Sequence, residues 1–118
     1  MANWWDEYPQ TDTYGSSWGI NEGYRTRPAQ HIDIGTPSGL GLTPKEPGRV
    51  IEKGDDPQLG VYVRLRDRYG RIWTYFHGSR VPLDVGDYAD AGSVIMQSGN
   101  TGSSTGAHTS VRLQDAGG

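Results

Sequence analysis

The chain has 118 residues, a hydrophobic fraction of 33% and a formal net charge of −3. This length suits a single domain with a modest core, and mild acidity with dispersed basic residues argues against a nucleic-acid partner. The chain has no cysteine, which excludes disulfides and thiolate chemistry, and no apolar stretch approaches the ~20 residues of a membrane span.

The N-terminal residues 1–23 are polar, aromatic and rich in turn formers, and they are predicted to form an irregular arm. The arm contains three tryptophans, Trp4, Trp5 and Trp18. Either they pack against the edge of the domain, or the arm attaches the domain to a larger assembly. An unpaired Trp-rich arm would otherwise expose an apolar patch. The N-terminus lacks the basic and apolar regions of a secretory signal. If the protein acts outside the cell that made it, it leaves by lysis or within a particle, or an upstream segment is missing.

The rest of the chain is predicted to be one β domain over residues 24–114, followed by a flexible tail at 115–118. Eighteen Gly and seven Pro residues, without sustained helical spacing of apolar residues, predict many turns and little or no helix. In the segment 60–67, Val61, Val63 and Leu65 alternate with polar residues, as in a half-buried strand. The predicted strands are 31–35, 49–54, 60–67, 71–77, 94–97 and 108–114. This pattern indicates an all-β, antiparallel sheet or sandwich.

Each of the three histidines lies on a strand-like segment beside another polar residue. The pairs that share a face are His31 with Asp33, Tyr75 with His77, and His108 with Ser110. Neutral imidazoles and a carboxylate bind Zn²⁺ tetrahedrally and leave one position for an activated water. Spacing alone leaves two interpretations open, separate solvated histidines or one shared site.

Three motifs then occur in a recognisable order. In chain order, the "YFH" of "TYFHG" follows the YxH of TxYxHL, the GD, second G and final I of "VGDYADAGSVI" follow those of VxxGDxVxxGxxI, and the loop "SGNTGSSTGAH" follows xGxTGxSTGPH. Over residues 24–113 the chain resembles the M23 family of zinc endopeptidases, the lysostaphin-like or LytM-like domains. The resemblance implies an antiparallel β fold with a groove, and bacterial cell-wall peptidoglycan as the partner.

The chain departs from the family at the metal ligands. The family takes these ligands from an HxxxD motif and from the second histidine of HxH. Asp33 falls on the carboxylate ligand, whereas Ala29 and Ser110 stand where the two histidines are expected. His77 and His108 match histidines that the family uses outside the metal shell, so the resemblance implies that they are either vestigial or steer water and stabilise the intermediate beside a metal. The resemblance therefore implies a degenerate site with no expected cofactor. In the alternative, a contraction lets His31 join Asp33 and His108 around Zn²⁺.

The leading prediction is a non-catalytic M23-like domain that binds peptidoglycan or forms a structural part of a phage lysin or phage tail assembly. The resemblance thus implies an extracellular or virion-associated protein that acts at the bacterial cell wall. The alternative is an active zinc metalloendopeptidase that cleaves peptidoglycan cross-links through the shifted metal site. A third possibility is an assembly module whose Trp-rich arm contacts other phage structural proteins. The predicted substrate contacts, with core packing as the competing interpretation, are Tyr62, Trp73, Tyr75 and Tyr88.

Overall fold

The computed structural model describes residues 4–8, 29–102 and 106–114, which form a short helix and eight strands. The elements are α1 (Trp4–Glu7), β1 (Ala29–Ile34), β2 (Gly41–Leu42), β3 (Gly48–Asp56), β4 (Gly60–Asp67), β5 (Ile72–Arg80), β6 (Tyr88–Ala89), β7 (Met96–Ser98) and β8 (Thr109–Gln114). In these ranges no helix is long and apolar enough to cross a membrane.

The strands form one antiparallel sheet in the order β1-β8-β5-β4-β3-β6, and β7 pairs with both β2 and β5. Strand β5 is central, because β4 lies on one side of it while β8 and then β7 lie on the other. Directly paired residues of antiparallel strands project to the same face of a sheet. The register therefore assigns every strand residue to an inner face, which carries the core, or to an outer face.

The inner face is made of cross-strand rows of apolar side chains. One row joins Val63, Tyr75 and Val111 across β4, β5 and β8, and the next joins Leu65 to Trp73. All five side chains are buried. The predicted antiparallel all-β architecture is confirmed, and β4 has the predicted bounds. The sequence pattern missed β2 and β6, because a strand of two residues is too short to show an alternation.

The first residues of the predicted arm pack against this core. Trp4 is 5% exposed, and its indole N–H donates to the Thr43 carbonyl oxygen at 2.8 Å. Its ring lies 6.3 Å from that of Tyr75 and 5.5 Å from that of Trp5. This part of the arm is therefore packed on the β domain. The boundary at residues 23 and 24 stays a prediction, and Trp18 and the tail at 115–118 lie outside the described residues.

The β4–β5 hairpin is closed by the carboxylate of Asp67. Its Oδ2 accepts hydrogen bonds from Trp73 Nε1 at 2.9 Å and from Arg71 Nε at 2.8 Å. Its Oδ1 accepts the backbone N–H groups of Tyr69 and Arg71, both at 2.9 Å. Burial opposes ionisation of this carboxyl, but the hydrogen bonds prevail and hold the pKa of Asp67 below its usual value.

Replacing Asp67 by Asn should lower the free energy of unfolding by roughly 2 kcal/mol at pH 7, because charge-assisted hydrogen bonds to a buried carboxylate are lost. A lowered folded-state pKa stabilises the fold fully above the unfolded-state pKa of about 4. That contribution disappears as the pH falls through the folded-state pKa, so the two proteins should converge in acid. Urea unfolding at pH 7 and pH 2.5 measures this difference. Asp55→Asn, at an exposed aspartate, is the control and should change neither value.

Trp4→Ala should lower the free energy of unfolding by about 3 kcal/mol, the usual cost of removing a buried aromatic side chain. Trp5→Ala, at a partly exposed neighbour, should cost clearly less. Thermal and urea unfolding of both variants make the comparison. Equal, small effects would show that the N-terminal segment is dispensable for the fold.

Candidate functional site

Asp33 and Ser110 face each other across β1 and β8. The register pairs them directly, and Ser110 also pairs with Phe76 of β5, so this row lies on the outer face. The Ser110 hydroxyl donates a short hydrogen bond to Asp33 Oδ1. Ser110 is 1% exposed. The position where the family pattern has an imidazole thus holds a buried hydroxyl that is bonded to the carboxylate.

His77 lies at an irregularity near the end of β5. Between Val61 and Val63 the pairing partner on β5 moves from Gly78 to Tyr75, so β5 carries one extra residue, a β-bulge. Here β5 also stops pairing with β8 and starts pairing with β7. His77 has a positive φ of 68°, an uncommon conformation for a residue other than glycine and one found preferentially at functional sites.

Two loop carbonyls hold His77 in this conformation. Its backbone N–H donates to Leu59 O at 2.8 Å, and its ring Nδ1 lies 2.7 Å from Thr101 O. Because a carbonyl oxygen only accepts hydrogen bonds, Nδ1 carries the ring hydrogen. The neutral imidazole therefore has its lone pair on Nε2. His77 is 5% exposed, which makes it a fixed group.

His108 is oriented in the same way. Its Nδ1 lies 2.7 Å from Gly106 O, so the neutral ring again has its lone pair on Nε2. That nitrogen is 3.9 Å from Asp33 Oδ2, beyond hydrogen-bond distance. The ring centroids of His77 and His108 are 4.8 Å apart. The structure thus brings Asp33, His77, His108 and Ser110 together, as the resemblance implies.

Thr101, which was not among the predicted site residues, links the loop after β7 to β4 and β5 through hydrogen bonds. Its hydroxyl donates to Gly78 O at 2.5 Å and accepts the Val61 N–H at 3.0 Å, while its carbonyl orients His77. Gly60, with φ +67°, packs so closely on Thr101 that a Cβ there would overlap it. Thr101 belongs to the quoted Gly/Ser/Thr loop motif, but its role depends on contacts between distant segments.

These donors do not fit a zinc site. Structural and catalytic zinc ions take at least three protein ligands at about 2.0–2.3 Å. Within the described parts of the chain, no three His, Asp or Glu side chains are grouped so as to hold a metal. The Ser110 hydroxyl uses its hydrogen on Asp33, and a neutral hydroxyl is a weak ligand beside imidazole.

The extended conformation of β1 separates position 29 from the site. Ala29 pairs with Gln114, whereas Asp33 pairs with Ser110. Four residues of extended strand span ~13 Å, which is farther apart than two residues that ligate one metal can lie, so the backbone of β1 does not have the conformation that ligation by an HxxxD motif requires. Position 31 is two residue pairs along β1 from Asp33 and lies opposite Arg112. A shifted site would therefore use His31, whose side chain lies outside the described part of the structure.

Two of the predicted substrate contacts lie in the core, which corrects their assignment. Tyr75 is 0% exposed and accepts the Lys45 N–H at its hydroxyl at 2.9 Å. Trp73 is 4% exposed and donates to Asp67. Burial, which also raises the pKa of Tyr75, leaves neither ring a surface for a ligand. Their inward direction follows from the register, which pairs both with inner-face residues.

The other two predicted contacts reach the outer face. Tyr62 lies opposite the β5 bulge, and its hydroxyl donates to Glu52 Oε2 at 2.5 Å. This hydrogen bond raises the pKa of Tyr62, so its hydroxyl stays protonated at neutral pH. Tyr88 is 58% exposed but lies on β6, at the opposite end of the strand order from Asp33. Both remain predicted substrate contacts.

The fold and this arrangement define a lysostaphin-like β domain with a His/Asp-containing polar site. The profile of peptidase family M23 matches residues 27–118, and the chain belongs to that family.

Three relatives illustrate the similarity. Lysostaphin of Staphylococcus simulans is 34% identical over 113 residues, which cover 91% of this chain and 22% of lysostaphin. Glycyl-glycine endopeptidase ALE-1 of Staphylococcus capitis is 32% identical over 111 residues, covering 91% of this chain and 29% of that protein. The solved catalytic domain of lysostaphin from S. simulans, an antimicrobial peptidase, superposes with a TM-score of 0.76 at 29% identity, covering 95% of this chain and 85% of that domain. The chain spans less than a third of the two full-length relatives.

Ser110→His should raise zinc affinity at least ~10-fold, because it places an imidazole directly opposite Asp33. Ser110→Ala removes the hydroxyl without adding a ligand and should give no gain. Adding Ala29→His to Ser110→His should also give no further gain, because position 29 lies ~13 Å along the strand. Zinc titration by calorimetry, with metal analysis of the dialysed proteins, measures all three. A strong gain from position 29 would show that β1 is not extended there.

Proposed function

We propose that this domain binds bacterial cell-wall peptidoglycan, or serves as a structural part of a wall-directed assembly, without hydrolysing it. The observation that carries the proposal is the hydrogen bond from Ser110 to Asp33. Asp33 falls on the carboxylate that binds the metal in the family pattern. Here that carboxylate instead accepts a hydrogen bond from a hydroxyl of the neighbouring strand. Peptidoglycan as the partner is supported by membership of family M23 and by similarity to lysostaphin and to a glycyl-glycine endopeptidase.

The remaining polar groups suit recognition of an extended peptide. The imidazoles of His77 and His108 are fixed by loop carbonyls, and Asp33 is held by Ser110. Groups that are already oriented lose little conformational freedom when a ligand binds. A peptide backbone offers N–H donors and carbonyl acceptors that such a site can match. The aromatic ring of Tyr62, beside the bulge, adds a surface for apolar contact.

Active zinc-dependent cleavage of peptidoglycan peptides is the second candidate. One distance favours it, because 3.9 Å between Asp33 Oδ2 and His108 Nε2 leaves room for an ion between them. His31 would then supply the third ligand, and His77 would orient water or stabilise an oxyanion.

A place in a phage lysin or phage tail, with the arm in contact with other phage proteins, also remains a proposal. The burial of Trp4 in this chain's own core leaves less of the arm's apolar surface for such contacts.

Retention on insoluble peptidoglycan tests the proposal directly. We expect the protein to sediment with purified walls, and His108→Ala to weaken retention roughly 10-fold, the effect of losing one or two good hydrogen bonds. Arg80→Gln, at the exposed last residue of β5, is the control and should bind as the native chain does. Equal loss of retention in both variants, or no retention of the native chain, would favour an assembly module without wall affinity.

Wall turbidity distinguishes binding from cleavage. With added zinc and with chelator, the native chain should leave the turbidity of a wall suspension unchanged. Clearing that needs zinc, stops with chelator and is lost in Asp33→Asn would establish the endopeptidase instead.

A further inference from the structure

A cavity lined by arginine side chains lies on the outer face, away from the histidine site. It has a volume of about 300 Å³ and lies between β3, β4 and β6, and its lining includes Arg49, Arg66, Arg68 and Tyr88. The register places Tyr88, Arg49 and Arg66 in one cross-strand row. Ile72 of β5 continues that row, four residues before Phe76, which pairs with Ser110. The cavity row is therefore ~13 Å from the histidine site along the strand direction.

Arg49 and Arg66 form an unfavourable pair of like charges. They are direct partners across antiparallel strands, where Cβ atoms are ~5 Å apart and equal charges destabilise the sheet. Both side chains are exposed. Within the described ranges, neither guanidinium has a carboxylate at ion-pair distance. Arg49 instead donates to Gly86 O at 2.7 Å and lies over the Tyr88 ring, 5.8 Å from its centroid. No ion pair with an acidic side chain of the described residues therefore offsets this repulsion.

The other charges around the cavity do not neutralise it. Asp67 contributes to the lining, but its carboxylate is directed to Trp73, Arg71 and backbone N–H groups on the core side. Arg68 adds a third positive charge, and its ion pair with Glu46 is long, at 3.8 Å, and largely exposed, so it contributes little. The chain as a whole has a net charge of −3. A local excess of positive charge on an acidic protein attracts anionic ligands to that part of the surface.

We propose that this arginine cavity binds a phosphate group, bridged by Arg49 and Arg66, with an adjoining organic group packed on Tyr88. A phosphate has enough oxygens to accept paired N–H groups from two guanidiniums at once, whereas a carboxylate suits only one. A bound phosphate turns the like-charge repulsion into attraction. The exposed Tyr88 ring provides an apolar surface beside the charges. The site is separate from the histidine site and does not depend on wall binding or metal binding there.

Calorimetric titration at low ionic strength tests the site with inorganic phosphate, glycerol 3-phosphate, glycerophosphoglycerol and acetate. We expect saturable binding of the phosphates and at least 10-fold weaker binding of acetate. A preference for glycerol 3-phosphate would indicate a phosphomonoester ligand, and equal or tighter binding of glycerophosphoglycerol would indicate a phosphodiester chain. Arg66→Gln should weaken phosphate binding at least 10-fold, whereas Arg80→Gln should leave it unchanged. Tyr88→Ala should weaken the organic phosphates but not inorganic phosphate.

Thermal unfolding gives an independent readout. In phosphate-free buffer, Arg66→Gln should raise the melting temperature because it removes the like-charge repulsion. Added phosphate should raise the melting temperature of the native chain and not that of Arg66→Gln, because only a bound ligand stabilises the folded state. Equal phosphate response in the native chain, Arg66→Gln and Arg80→Gln, or no saturable binding by the native chain, would overturn the proposal. These assays contain no wall polymer, so their failure is distinct from failure of peptidoglycan retention.

Discussion

Strand β5 has hydrogen-bonded neighbours on both sides, and its register decides where every side chain of the middle of the sheet projects. Because side chains of a strand alternate with a period of two, a slip by one residue would exchange the two faces. The pairing of Val63, Tyr75 and Val111 on the inner face therefore also fixes the polar outer face. The core and the functional surface are two consequences of one set of backbone hydrogen bonds.

The bulge that contains His77 is the point where this regular pattern is interrupted. An extra residue there changes the direction of a side chain without disturbing the strands before it. The positive φ of His77 is sustained by carbonyls from two separate loops, at Leu59 and Thr101. A strained residue held by several contacts is typical of sites where orientation matters. The fold thus keeps the imidazoles in fixed positions, although Ser110 stands beside them where the family pattern has a histidine.

The outer face contains two polar regions of different character. At one end, Asp33 and Ser110 form a closed hydrogen bond between β1 and β8. At the other end, Arg49 and Arg66 repel each other across β3 and β4. A satisfied pair of groups stabilises the sheet by itself, whereas a pair of like charges destabilises it until an anion binds between them. The arginines thus offer positive charge to a ligand, whereas the Ser110 hydroxyl is already bonded to Asp33.

Alternation and turn residues were enough to predict the all-β class, the bounds of β4 and the inward direction of Val63 and Leu65, because a half-buried strand shows its period directly in the sequence. Motif order predicted the family and the grouping of Asp33 with His77 and His108. Cross-strand register and long-range contacts were not visible in the sequence, since both depend on residues far apart in the chain. Only the tertiary structure placed Trp73 and Tyr75 in the core, gave His77 its loop carbonyls and set Arg49 opposite Arg66.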